Sequence, residues 1–84
     1  MHHRQVLAGI GDLKPGAAVD IQMRDLVDAV IDKDREEGGA FRPMAVHRND
    51  IERYAMSLEK YGVRVTINPI SSTITLYKPQ QQEN

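Results

Sequence analysis

From Arg48 to Lys78 the chain carries one unbroken run of agreeing local signals, and this run constrains the fold more than any other feature. Ile51, Tyr54, Ala55, Leu58 and Tyr61 recur at three- and four-residue spacing, which places them on one stripe of an α-helix. Asn49 is a candidate N-cap, and Glu52 three residues on completes a capping-box pattern. Gly62 follows the stripe at the position where a helix ends in a left-handed residue. Val63, Val65 and Ile67 then alternate with Arg64, Thr66 and Asn68, the period of a strand with one buried face. A second alternating run, Thr73 to Tyr77, predicts a β-hairpin. The expected register sets Val65 opposite Ile74 and Val63 opposite Leu76, with 68–71 as the loop.

Upstream, the pattern is less one-sided. Val6 to Ile10 predicts a short strand or a helical turn, and Gly9 and Gly11 weaken either reading. After the Lys14-Pro15-Gly16 turn signal two periods compete. Val19, Ile21 and Met23 alternate as in a strand, whereas Met23, Leu26, Val27, Val30 and Ile31 keep helical spacing. The preferred reading is a helix from about Asp20 or Gln22 to Glu37, with Asp20 as an available N-cap. Whether 17–21 is strand or helix start stays open at this level. Gly38-Gly39 ends the helix, and its terminal acids Asp34, Glu36 and Glu37 oppose the helix dipole. The last turn is therefore expected to fray, or those carboxylates to find cationic partners. Pro43 keeps helix out of the connection that follows.

These elements predict an α+β domain with two helices packed on a small antiparallel sheet, the C-terminal helix leading into the hairpin. With 84 residues the chain holds one domain, 1–79, followed by a disordered polar tail, 80–84. It has no cysteine, so disulfides, thiolate metal sites and a cysteine nucleophile are excluded. No segment reaches the roughly 18 apolar residues of a membrane span, and a soluble, cytoplasmic protein is expected. Net charge is −1, which gives no global pull toward nucleic acid or anionic lipid. The distribution is uneven: residues 1–41 hold five Lys/Arg against eight Asp/Glu, and residues 42–84 hold six against four.

Catalytic chemistry finds no constellation. His2 and His3 fall in what should be a mobile terminus, and His47 just precedes a helix start beside Arg48. Asp32 to Glu36 lacks the glycine and the final carboxylate of a calcium loop, so Asp28, Asp32 and Glu36 read as a solvated acidic face. Gly9 and Gly11 do not complete a phosphate-binding fingerprint. Ser71 and Ser72 lack an activating base. The expectation is a non-enzyme with no metal and no cofactor.

Two binding readings remain. In the first, Arg64, Thr66, Thr73, Thr75 and Tyr77 share the outward face of the hairpin, β-prone and nearly free of charge. The final strand is taken as a sheet edge, able to pair with a protein partner or a second copy. This predicts a small regulatory or binding module that works through protein contacts and self-associates. The alternative is a winged-helix-like DNA-binding regulator. Arg48, Asn49 and Arg53 would open a recognition helix, and Arg64 and Lys78 would add phosphate contacts from the wing. Against it stands the segment 38–44, too short and broken to be the helix that should precede the recognition helix. The acidic first helix also weighs against it.

Overall fold

The computed structural model describes residues 1–80; of the predicted tail, 81–84 lie outside the described residues. The chain is α+β. Its elements run α1 (His3–Asp12), β1 (Ala18–Gln22), α2 (Val27–Glu36), α3 (Arg48–Ser57), β2 (Arg64–Asn68) and β3 (Thr73–Tyr77). Short 3₁₀ turns precede α2 and α3 and follow α3. The sheet is antiparallel in the order β1-β3-β2. No described helix is long and apolar enough to cross a membrane.

Three helices, not two, supply the layer over the sheet. The additional one is α1, where a strand or a single turn was expected. His3, Val6 and Ile10 fall on one helical face and are buried, so tertiary packing overrides the weak propensity of the two glycines. A Cβ at Gly9 or Gly11 would meet nothing within 4 Å, so both glycines face open space and obstruct no packing. The Gln5 side chain accepts the His2 N–H at 2.7 Å and closes the first turn.

Both periods read between Val19 and Ile31 are present, one after the other. Ala18–Gln22 is a strand, and the helical spacing takes over in a 3₁₀ turn at Met23–Leu26 before α2. Asp20 is therefore not an N-cap. It lies mid-strand, and its Oδ1 accepts the Thr75 hydroxyl at 2.6 Å. At the far end of α2, Gly38 takes φ +86, the left-handed conformation that glycine adopts without a Cβ clash. Among the described residues Asp34 takes no cationic partner. Its Oδ2 accepts the Phe41 N–H at 3.0 Å, tying the connection 37–47 back onto the helix.

The acidic face of α2 is not merely solvated, and the N-terminus is not loose. Asp32 Oδ2 accepts the His3 backbone N–H at 3.0 Å and lies 2.9 Å from His2 Nδ1. The Met1 amine is 3.6 Å from Asp28. His3 is 7% exposed, and its Nδ1 shares a 2.7 Å hydrogen bond with the Tyr54 hydroxyl on α3. This bond joins α1 to α3 through the core.

The helical stripe of α3 appears as expected for Ile51, Tyr54, Ala55 and Leu58, all buried. Tyr61 leaves the stripe and is 40% exposed, because the last turn tightens to 3₁₀ over Leu58–Tyr61. Gly62 stops the helix at φ +90. The helix begins one residue before the predicted cap. His47 is the N-cap, and Asp50, not Glu52, reaches back to accept its N–H at 2.9 Å.

In the hairpin, Val65 stands opposite Leu76 and Ile67 opposite Ile74, two residues from the expected register. A shift of two leaves every side chain on its predicted face, so hydrophobic patterning does not discriminate between the registers. The turn chemistry decides. Asn68 Oδ1 accepts the N–H groups of Ile70 and Ser71, and Ser72 takes φ +55, so the loop is 69–72. The sheet's inner face brings Ile21, Ile74 and Leu76 against Val6, Leu26, Ile51 and Leu58.

Candidate nucleic-acid interface

The start of α3 and the hairpin loop form one continuous surface. Arg48, the first residue of the helix, reaches across to the loop, where its Nη2 donates to the Pro69 carbonyl at 2.5 Å and the Ser72 hydroxyl at 2.9 Å. Its Nε lies 3.7 Å from the Glu52 carboxylate one turn along. Arg48 is thus occupied as a latch between helix and loop. Asn49 and Arg53 carry the exposed polar groups of the same helix start. Arg42 and His47 are exposed on the adjoining connection. Two apolar side chains stand almost fully in solvent at this end, Met44 at 97% and Ile70 at 96%.

Acidic groups border this surface on one side. Arg53 lines a depression between α2 and α3 together with Asp34, Glu37, Asp50 and Lys33. Asp28 and Asp32 are engaged by the N-terminus, Asp28 by the Met1 amine and Asp32 by His2 and the His3 N–H. The His3 backbone N–H holds the Asp32 carboxyl below its usual range against an opposing desolvation, with further help from the His2 side chain and Arg35. Burial, reinforced by the Tyr61, Asp32 and Glu36 charges, pushes the Tyr54 phenol upward, so it stays protonated in its bond to His3.

The predicted residues divide into three groups. Arg48, Asn49 and Arg53 come together at the start of α3. Arg64 and Lys78 do not join them. Arg64 pairs with Tyr77 at the base of the hairpin, four residues and roughly 13 Å of strand from the loop end. Lys78 follows β3 there, and its Nζ lies 3.4 Å from the Ile10 carbonyl. The third group, Arg64, Thr66, Thr73, Thr75 and Tyr77, does form one contiguous outward face. Arg64 stands opposite Tyr77 and Thr66 opposite Thr75, and β1 extends the face with Ala18, Asp20 and Gln22.

One premise behind the outward face is corrected. β3 is the central strand, hydrogen-bonded on both sides, so it offers no edge to a partner. The sequence signal for this was the alternation of Val19, Ile21 and Met23, which supplies the strand that covers it. The segment 38–44 is as broken as expected: the connection from α2 to α3 runs 37–47 and adds only the 3₁₀ turn at Pro43–Ala45. Met44-Ala45-Val46 reads in sequence as a short strand or a buried loop, but Met44 lies in the 3₁₀ turn Pro43–Ala45 and is exposed; Ile70 was missed because an isolated apolar residue in a loop carries no periodic signal.

Among the described residues, no group of three or more histidine, aspartate or glutamate side chains could hold a metal ion. Compared with known protein families, curated proteins and solved structures, the chain matches none of them.

Proposed function

We propose that this chain is a non-catalytic, winged-helix-like binder of duplex DNA, with the start of α3 as the reading element and the 69–72 loop as the wing tip. Four features support the reading. The order helix-strand-helix-helix-strand-strand, with the last strand between the other two, is that of a winged helix-turn-helix. The exposed groups at the start of α3, Asn49 and Arg53, are of the types that meet base edges and phosphates. The cations Arg42 and Arg53 border the helix start, and of the acids nearby Asp28 and Asp32 are already engaged by the N-terminus. The observation that carries the reading is the Arg48 bridge, because it makes helix and loop a single surface able to meet a groove and the adjoining backbone.

Fluorescence anisotropy of a labelled random duplex tests it. Affinity should fall steeply with salt, and Arg53→Ala should lower the salt slope by about 1 as one phosphate contact is lost. Binding that ignores salt, or is unchanged by Arg53→Ala and Asn49→Ala together, contradicts the reading.

A second reading keeps the protein-contact module, with self-association through Arg64, Thr66, Thr73, Thr75 and Tyr77. It is favoured by the contiguity of that face and by Tyr77, an amphipathic aromatic that is 37% exposed. Light scattering separates the two. A concentration-dependent dimer lost in Tyr77→Ala, with no response to duplex, supports the second reading over the first.

A further inference from the structure

The two edges of the sheet are not equivalent. On β2, the Glu59 side chain accepts the Val65 N–H at 3.3 Å, so a carboxylate occupies the edge. On β1 the edge is open. Lys78 N–H donates to the Ala17 carbonyl and Met23 N–H to the Ser72 carbonyl, each at 2.9 Å, which turns the odd-numbered residues of β1 toward β3. The N–H groups of Ala18, Asp20 and Gln22 therefore point away from the sheet. Beside this edge runs an apolar groove between α1 and β1, lined by Val6, Ile10, Leu13, Val19, Ile21 and Leu76. Val19 lies on the core-facing side of the sheet, yet it is 41% exposed, so the helical layer stops short of it.

The side-chain charges at the groove are acidic: Asp12 and Asp25 line it and Asp20 projects from the other face of β1 beside Thr75, while the Met1 amine, also at the groove, lies 3.6 Å from Asp28. A second copy of the chain is a poor occupant. Antiparallel pairing of β1 with β1 over its full length would set Asp20 opposite Asp20 of the second copy, and like charges directly opposite are destabilising. An opposite charge is what this edge lacks.

We propose that the open edge of β1 and the groove beside it bind an extended segment of a partner protein in which apolar residues alternate with lysine or arginine. The segment adds as a fourth strand, its backbone bonding Ala18, Asp20 and Gln22. Its apolar side chains fill the groove next to Val19 and Ile21, and its cations meet Asp20 on the opposite face and Asp12 and Asp25 at the ends. This surface is separate from the α3 interface and does not depend on DNA binding.

The test uses a short capped peptide alternating lysine or arginine with valine, and a control with glutamate at the charged positions. Both are titrated into the isotope-labelled protein by NMR. The basic peptide should shift the Ala18, Asp20 and Gln22 amides and slow their hydrogen exchange, and the acidic peptide should not. Asp20→Lys should weaken binding by about tenfold or more while the spectrum stays dispersed, and Arg53→Ala should leave it unchanged. Equal binding of both peptides, shifts centred on another surface, or protection of the same amides in a dimer without peptide would each overturn the proposal.

Discussion

Replacing Tyr54 by phenylalanine isolates the contact that docks α1. Tyr54 is 4% exposed and its hydroxyl meets His3 Nδ1 at 2.7 Å. Phenylalanine keeps the ring, and with it the edge contact to the His3 imidazole at 5.5 Å and the approach of Lys33 Nζ at 5.9 Å. The bond of the His3 backbone to Asp32 is also kept, since it involves no side chain of either altered residue. What remains is a buried imidazole nitrogen without its partner, which costs ~1–3 kcal/mol. Removing both polar groups, as His3→Leu with Tyr54→Phe, should recover part of that loss, giving a coupling of ~1–2 kcal/mol. Urea unfolding of the four proteins measures it. With a slope of about 1 kcal/mol per molar expected for a domain of this size, the Tyr54→Phe midpoint should fall by roughly 1–3 M. A single variant within about 0.3 kcal/mol of the parent, with no coupling in the cycle, would refute the docking role.

Other perturbations follow from the same structure. Arg48→Ala removes the latch between α3 and the loop; because the latch is exposed, global stability should change by less than ~1 kcal/mol, while hydrogen exchange in 69–72 quickens several-fold. Gly62→Ala places a Cβ at φ +90 with no atom within 4 Å, so the cost is backbone strain alone, ~1–2 kcal/mol by thermal or urea unfolding. Asp32 has a folded pKa below its unfolded value, so it binds fewer protons folded than unfolded between the two. Its contribution is therefore present above about pH 4 and is lost as pH falls through the folded value. Asp32→Asn should flatten that limb of the stability profile, and an unchanged acid limb would contradict the assignment. Ile74→Ala in the central strand, fully buried, should cost ~2–5 kcal/mol.

The parts legible in the sequence are those decided within a few residues. The α3 stripe, the Gly62 stop and the alternating faces of the hairpin depend on spacing alone. The N-terminal helix does not. Gly9 and Gly11 lower its intrinsic stability, and what holds it is the meeting of His3 with Tyr54, 51 positions away, and of its first turn with Asp32. The pairing of β1 with β3 is equally non-local, and missing it made a central strand look like an edge. The hairpin register failed for a different reason, since a two-residue slip is invisible to a two-residue period. At the candidate site, Asn49 and Arg53 were found from their position at a helix start. The engagement of Arg48 with the loop, and the separation of Arg64 and Lys78 from it, followed only from three-dimensional placement.

The central claim is that the start of α3 and the loop it holds form a duplex-binding surface. An NMR titration of the isotope-labelled protein with a short random duplex at low salt tests it most directly. The account predicts shifts at Asn49, Arg53, Ile70 and Ser71 that reverse on adding salt, with Thr66 and Thr75 unmoved. Unperturbed spectra, or shifts confined to the outer sheet face around Thr66, Thr75 and Tyr77, would contradict it.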